Sequence, residues 1–313
     1  MYPWHDTFHM GIVHFMAYPQ ATTQEDVVQS VEEILADEFF QAVEVSALLD
    51  GEVLQAVGAL CDVARVEVLL GAQPLVLSKG LSLGAFEEEE RKQALEALKQ
   101  AVDKAYVAKA KALAFLSGKR PEEGREEEAR KRLVESLVEL CRYAEKRAEV
   151  SGYLLGVNLE VFDYAVDKRA LIGPAPFAFE VASLVRAECP NFGLTIDLSH
   201  EPLLFEDPAC TLTLLAPFVN HVHIGNAVLA QGHPACGDTH PRFGLKEGCN
   251  DVQEVAEFLR ALFRIGYFEK ATFTERPVIS FEVRPLPGES PRLVVANAKR
   301  TFLSAWNRLF PML

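Results

Sequence analysis

From the sequence of 313 residues we expect no interdomain linker, no membrane span and no secretion signal. No Ser/Gly-rich or Pro-rich stretch divides the chain, and its hydrophobic content of 49% is enough for one large core. We therefore expect a single domain over residues 1–313. No apolar run is long enough to span a bilayer, and the amino terminus lacks a basic region followed by an apolar stretch. These absences predict a cytoplasmic protein that does not bind membranes.

The cysteines and the charge exclude further classes of protein. The six cysteines are scattered without a CxxC pair, which favours reduced thiols over a disulfide framework. The formal net charge of −14 repels phosphate backbones, and no local basic patch offsets it. We therefore expect no nucleic-acid partner and predict a small-molecule substrate. The oligomeric state is left open, with a homo-oligomer among the alternatives.

Eight apolar runs alternate with segments that have helical periodicity. The runs are rich in Val, Ile, Leu and Phe without strict alternation, as expected of parallel strands covered on both faces. They cover residues 11–17, 42–48, 66–71, 112–117, 154–162, 192–198, 219–224 and 278–283. This number of strand–helix repeats predicts an α/β protein of the (βα)8 TIM-barrel class. A doubly wound open sheet is the alternative, but residues 17–20 (AYPQ) are not the glycine-rich turn of that fold.

Acidic residues and histidines recur at the ends of four successive predicted strands. Glu160 stands near the end of the fifth run, Asp197 ends the sixth, and Glu282 follows on the eighth. On the seventh, His221 and His223 share a face, with His223 nearer the mouth. Each residue alone would be an ordinary ion-pair or core group. At equivalent strand ends, however, Glu160, Asp197, His223 and Glu282 predict one shared site for Mn²⁺, Mg²⁺, Co²⁺ or Zn²⁺.

This pattern resembles the xylose isomerase-like TIM barrels, a family that includes sugar isomerases, ketose 3-epimerases, inosose-processing enzymes and the endonuclease IV group. The resemblance covers the whole chain and is most specific in the segments NLEVFD, DLSH, HVHIGN and FEVRP within residues 158–285. It implies metal ligands at the same four positions and a substrate contact at His200. The segment Val43-Glu44-Val45 resembles the family's second-strand motif, which implies a structural role for Glu44.

The loop after the seventh predicted strand contains the segment GDTHPRFG, residues 237–244. Asp238 and His240 of this segment resemble an Asp-x-His pair of the endonuclease IV group. In that group the pair holds an additional zinc together with a further histidine, to which His200 corresponds. The alternatives are a second metal site, a set of groups that bind substrate oxygens, and a loop stabilised by its own hydrogen bonds. The full zinc cluster of that group also needs histidines after the third and fourth strands, where this chain has none. That absence and the acidic charge argue against DNA repair.

The resemblance implies a divalent-metal-dependent isomerase or epimerase that acts on a keto sugar or sugar acid through an enediolate. In the epimerases that this chain resembles, two glutamates transfer protons, so Glu160 and Glu282 are expected to be an acid/base pair as well as ligands. The residues predicted to contact substrate are His200, Arg242, Arg284 and His14. For the arginines, surface ion pairs are the alternative, and for His14 the alternative is a hydrogen-bonded core position.

Two other functions are compatible with the same residues. Loss of carbon dioxide from a 3-oxo sugar acid also gives an enediolate, so a metal-dependent lyase needs no different ligands. The segment LIGP (residues 171–174) and the GDTHPRFG loop resemble a branch of the family that includes 3-oxo-isoapionate decarboxylase. The third hypothesis is a non-catalytic binding barrel, which predicts that no metal is bound.

Overall fold

The computed structural model describes residues 4–309, and its centre is a closed barrel of parallel strands. Each strand pairs with the next along the chain, and the last pairs with the first. The strands are β1 (His9–Val13), β2 (Ala42–Ser46), β3 (Glu67–Gly71), β4 (Ala112–Phe115), β5 (Gly156–Val161), β6 (Phe192–Asp197), β7 (Val219–Gly225) and β8 (Val278–Glu282). This architecture confirms the predicted (βα)8 TIM barrel.

Helices surround the barrel, and the main hydrophobic core lies between them and the strands. They are α1 (His14–Ala17), α2 (Gln24–Leu35), α3 (Gly51–Ala64), α4 (Gln73–Lys79), α5 (Glu88–Val107), α6 (Glu126–Ser151), α7 (Ala175–Arg186), α8 (His200–Leu204), α9 (Pro208–Leu215), α10 (Val252–Arg264) and α11 (Pro291–Leu309), with 3₁₀ turns at Trp4–Asp6 and Tyr267–Glu269. Among the residues described, no helix combines the length and the apolar character that crossing a membrane requires.

Two helices begin with reciprocal caps that their sequences encode. At the start of α2, the Thr23 hydroxyl accepts a hydrogen bond from the Asp26 N–H, and the Asp26 carboxylate accepts one from the Thr23 N–H. Asp251 and Glu254 make the equivalent pair at the start of α10. Each cap satisfies N–H groups that have no partner within the helix, which fixes where the helix begins.

The first strand ends earlier than the apolar pattern predicts. The run over residues 11–17 was expected to be a strand, but β1 ends at Val13 and His14–Ala17 form the helical turn α1. The prediction is wrong at this boundary because α1 is itself packed against the barrel, so Ala17 is fully buried. Hydrophobicity therefore continues across the strand–helix junction, and periodicity over so few residues does not distinguish the two.

The barrel interior changes from apolar to polar along its axis. Near the amino-terminal ends of the strands it is filled by a small apolar cluster of Ala42, Leu69, Ala112 and Val278. Because side chains two residues apart on a strand share a face, Glu44 and Ser280 face the same interior one layer higher, and Glu282 lies one layer above Ser280. The carboxyl-terminal mouth is therefore lined by polar groups above an apolar base.

Candidate metal centre

The structure brings the predicted metal ligands together at the carboxyl-terminal mouth of the barrel. They come from the consecutive strands β5 to β8, and the register between β6 and β7 pairs Asp197 directly with His223. One oxygen or nitrogen from each residue lies within 4.8 Å of those of the other three, and all four residues are buried. This four-residue set is Glu160, Asp197, His223 and Glu282.

Polar atoms of the four-residue set lie close together without hydrogen bonds of acceptable geometry between them. His223 Nδ1 lies 2.7 Å from Glu282 Oε2 and 3.8 Å from Glu160 Oε1. Each of these three atoms is buried, and none has a hydrogen-bond partner of acceptable geometry among the described residues. Because unpartnered buried polar atoms are costly, such an arrangement is typical of ligands that converge on a cation. The residues therefore fit the divalent ion that the sequence predicts.

Two residues that the sequence analysis missed orient the carboxylates of this set. Gln73, the first residue of α4, donates from Nε2 to Glu160 Oε2 at 2.6 Å. Ser199 donates to both oxygens of Asp197, from its N–H at 2.7 Å and from its hydroxyl at 2.6 Å. Gln73 lies two residues after the end of the third strand, and this strand-end position was a usable signal, although a search for histidine ligands does not find it.

One layer below the mouth, Glu44 joins the two histidines of β7. Its Oε1 lies 2.7 Å from His221 Nε2 and 3.1 Å from His223 Nε2, and its Oε2 lies 3.2 Å from His223 Nε2. All three residues are buried and form a second group of potential ligands. Burial opposes ionisation of Glu44, but the charges of His223 and His221 outweigh it and hold the pKa of Glu44 well below its usual range.

The loop between β7 and α10 adds a third group next to the four-residue set. Asp238 Oδ1 lies 2.7 Å from His240 Nε2 and 3.3 Å from His200 Nε2. Asp197 approaches the same two rings, at 3.9 Å from His200 Nε2 and 3.6 Å from His240 Nδ1. The structure therefore brings together the three residues considered for a second metal, and it adds Asp197 to them.

Hydrogen bonds hold the backbone of this loop in place. The Asn226 amide donates to the carbonyl of Arg242 at 3.1 Å, and its oxygen accepts the N–H of Asn250 at 2.8 Å. His240 has a left-handed φ of 51°, and its carbonyl accepts the N–H of Arg284 at 2.6 Å. A non-glycine residue in this conformation costs about 1 kcal/mol and persists only where its surroundings determine it, as they do here.

Carboxylates control the protonation of the histidines at the mouth. Burial disfavours a charged ring, but Asp197 and Asp238 outweigh it and raise the pKa of His200 well above its ordinary value. In the same way, Glu282 and Asp238 raise the pKa of His240 to about 9 against the effect of burial. Burial raises the pKa of Glu282, although the nearby histidine charges lower it. The mouth thus concentrates negative charge, which ring protons or a cation must balance.

The remaining residues predicted to contact substrate lie outside this cluster. Arg242 is half-buried and pairs through Nε with Glu289 Oε1 at 2.8 Å. Arg284 is exposed just beyond β8, and within residues 4–309 it has no ion pair. His14 is buried and its Nε2 lies 2.8 Å from the Ser30 hydroxyl. Burial lowers the pKa of His14 to about 4, so its ring is neutral at physiological pH.

The fold and the site together define a class: a TIM barrel with a carboxylate–histidine centre at the mouth. A family model described as xylose isomerase-like TIM barrel matches residues 33–278. The chain therefore belongs to this family, which confirms the resemblance found in its motifs. No curated protein sequence matches the chain.

Solved structures with the same fold include sugar epimerases. A D-tagatose 3-epimerase-like protein is 20% identical, with a TM-score of 0.71 over 96% of this chain and 98% of that chain. D-psicose 3-epimerase from Clostridium cellulolyticum H10, crystallised with D-tagatose, is 16% identical, with a TM-score of 0.65 over 96% and 98%. An IOLI protein with a bound zinc atom is 15% identical, with a TM-score of 0.70 over 97% and 100%. At these identities the similarity establishes the fold.

Proposed function

We propose that the protein is a divalent-metal-dependent isomerase or epimerase that acts on a keto sugar or sugar acid through an enediolate. One observation carries the proposal: the ligand atoms of Glu160, Asp197, His223 and Glu282 converge within 4.8 Å in a buried site. Structures with the same fold include epimerases of D-psicose and L-ribulose, and this likeness supports the choice of ketoses as first substrates.

The four-residue set would hold the cation. Three carboxylates and one imidazole suit Mn²⁺, Mg²⁺, Co²⁺ or Zn²⁺. When bound, such an ion supplies a Lewis acid that polarises a carbonyl and stabilises negative charge on the neighbouring oxygens. A second ion held by His200, Asp238 and His240 is part of the proposal, with direct binding of substrate oxygens by the same residues as its alternative.

In this proposal Glu160 and Glu282 transfer the proton. They stand at the ends of β5 and β8, which β6 and β7 separate, so the two carboxylates reach the mouth from different sides. An epimerase removes a proton from one face of a carbon and returns one to the other face, which requires two such groups. Gln73 fixes the position of Glu160 through the hydrogen bond to Oε2, which leaves Oε1 directed into the site.

In this proposal His200 orients a substrate hydroxyl. Its Nδ1 lies 2.9 Å from the carbonyl of Val161, an acceptor, so Nδ1 carries the proton that makes this hydrogen bond. Its Nε2 is buried at the mouth and has no hydrogen-bond partner of acceptable geometry among the described residues. Arg242 and Arg284 are proposed to contact the distal part of the substrate.

A second candidate function is the decarboxylation of a 3-oxo sugar acid, and Arg284 is the observation that favours it. This exposed guanidinium lies two residues after Glu282 and has no ion pair in the part of the chain that is described. In a chain of net charge −14, a free cation beside the mouth suits an anionic substrate. In this reaction the bond to the carboxylate breaks, its electron pair stays on the substrate as an enediolate, and one glutamate returns a proton.

Metal analysis and substrate tests distinguish these functions. The purified protein would be dialysed and its metal content per chain measured, then incubated in D₂O with ketoses and 3-oxo sugar acids. Deuterium incorporation next to the ketose carbonyl, followed by NMR, supports the epimerase, whereas release of carbon dioxide supports the lyase. A protein that binds no divalent metal and exchanges no substrate proton would be the non-catalytic barrel. One ion per chain rather than two would leave His200, Asp238 and His240 to substrate binding or to the hydrogen bonds of the loop.

A further inference from the structure

Glu44 lies inside the barrel, below the candidate metal centre, where a charge has little access to solvent. Its side chain is 1% exposed, and it shares the interior face of β2 with Ala42 of the apolar base. An ionised carboxylate in such surroundings costs several kcal/mol unless donors compensate for the lost water. The burial of the Glu44 carboxylate is therefore explained by the groups that donate hydrogen bonds to it.

Two imidazoles of β7 provide the donors. His221 Nε2 lies 2.7 Å from Glu44 Oε1, and His223 Nε2 lies 3.1 Å and 3.2 Å from the two oxygens. An ionised carboxylate only accepts hydrogen bonds, so both rings carry a proton at Nε2 in this arrangement. Glu44 thus determines which nitrogen of each ring is protonated.

For His223, the tautomer decides whether the Nδ1 atom, which faces the mouth, has a lone pair that can bind a cation. A neutral ring protonated at Nε2 keeps its lone pair at Nδ1. The Nδ1 atom of His223 faces Glu282 Oε2 at 2.7 Å and Glu160 Oε1 at 3.8 Å, without a hydrogen bond of acceptable geometry. The same ring therefore donates downward to Glu44 and presents a ligand atom upward to the four-residue set.

We infer that Glu44 is a positioning residue that holds His223 in the tautomer protonated at Nε2, so that Nδ1 is available to the cation. His221 is the second donor, which anchors the carboxylate of Glu44. The inference rests on the proposed function, because it requires a cation in the four-residue set. It differs from the purely structural role implied by the family resemblance, since it predicts an effect on metal affinity rather than on folding alone.

The test compares zinc binding by the wild type and by Glu44→Gln, using competition with a chromophoric chelator. We expect 10- to 100-fold weaker binding by the variant, as for other changes of a carboxylate that supports a histidine ligand. The physical reason is that an amide presents N–H groups to one of the two rings and forces that ring toward the other tautomer. In the zinc-loaded wild type, ¹⁵N shifts of the His223 ring should report a protonated Nε2 and a metal-bound Nδ1.

Glu201→Gln is the matched control, because Glu201 is equally buried but is hydrogen-bonded to Thr211 on the outer side of the barrel. Its zinc affinity should equal that of the wild type. If the wild type binds zinc and Glu44→Gln binds it equally well, the inference alone is overturned. If the wild type binds no zinc, the proposed function fails and the inference with it.

Circular dichroism of both variants checks that they fold. Should Glu44→Gln fail to fold, Glu44→Asp takes its place, because it keeps the charge but withdraws the carboxylate by one methylene. Wild-type zinc affinity in Glu44→Asp, with the same ¹⁵N shifts at His223, would then overturn the inference. A loss of affinity in that variant, with the Glu201→Gln control unaffected, would support it.

Discussion

The surroundings of His14, in the first half of the barrel, shift the pKa of its ring in the opposite direction from the surroundings of His200 and His223, in the second half. In the first half, His14 after β1 is buried against a hydroxyl, and burial lowers its pKa to about 4. In the second half, burial acts in the same direction on His200 and His223, yet neighbouring carboxylates outweigh it and raise both pKa values well above the ordinary value. The difference lies in the neighbours of each ring, because Asp197 and Asp238 raise the pKa of His200, whereas Glu44, which reaches across from β2, and Glu282 raise that of His223.

The first half nevertheless contributes to the site from across the barrel. Glu44 on β2 reaches the two histidines of β7, and Gln73 after β3 reaches Glu160 on β5. The second half thus supplies the four candidate metal ligands, and the first half supplies groups that hydrogen-bond to them. Ligand orientation of this kind commonly affects metal affinity and rate almost as strongly as the ligands themselves.

The largest expected effect comes from the second half, at Glu282. Because Glu282 is proposed to be both a ligand and a proton carrier, kcat of Glu282→Gln should fall by roughly 10²- to 10⁴-fold while the fold is retained. Steady-state rates with an accepted substrate and circular dichroism would measure this. Glu201→Gln is the control, since burial raises the pKa of Glu201 to about 8 and its carboxyl is already largely protonated at pH 7. Wild-type turnover by Glu282→Gln would refute the assignment.

A pH experiment on His14 tests the contrast between the halves. Because its folded-state pKa of about 4 lies below the unfolded value of about 6.5, its contribution to stability is complete above pH 6.5. That contribution is lost as the pH falls toward 4, and the loss amounts to about 3 kcal/mol.

Urea unfolding of the wild type and His14→Asn at pH 7 and pH 4 would measure the difference. The wild type should lose more unfolding free energy than the variant between the two pH values. Comparing the two proteins cancels the contributions of the other histidines and of the carboxylates. Equal losses would show that His14 is not held neutral by its surroundings.

An intermediate effect on activity is expected when a hydrogen bond from the first half of the barrel to the second half is removed. Gln73→Leu removes the hydrogen bond to Glu160, and a hydrogen bond to a charged group contributes about 1.5–3 kcal/mol. We therefore expect kcat/KM to fall about 10- to 100-fold. As a control, Gln41→Leu removes an amide that accepts the Met10 N–H at the other end of the barrel, and it should affect stability alone. Equal activity in both variants would leave Gln73 without a functional role.

The smallest expected effect concerns Arg284, which bears on substrate class. Arg284→Ala should weaken inhibition by a sugar acid about 10-fold, because a hydrogen-bonded charge pair is lost, and should leave inhibition by the matching neutral sugar unchanged. Inhibition constants for the two compounds would be compared. Arg292→Ala is a control, since Arg292 is paired with Glu33 on the outer surface. An equal change for both inhibitors would argue against recognition of an anionic substrate.

The sequence by itself determined the class of fold and the residues of the four-residue set. Eight apolar runs predicted a closed parallel barrel over the alternative of an open sheet, and parallel strands bring their carboxyl ends to one mouth, so strand-end Glu160, Asp197, His223 and Glu282 were expected to converge. That inference needs only the order of the strands. It does not need the angle at which they cross.

Only the tertiary structure decided which groups from the first half support this set. The contact of Gln73 with Glu160 and that of Glu44 with His223 depend on how the strands tilt and shift as the barrel closes, which local pattern does not encode. The end of β1 at Val13 was likewise decided by packing, because the helical turn that follows also buries residues, His14 and Ala17, against the rest of the protein. Hydrophobic periodicity in the sequence specifies which face of a helix or strand is buried. The geometry with which the barrel closes specifies which side chains that face contacts across the interior.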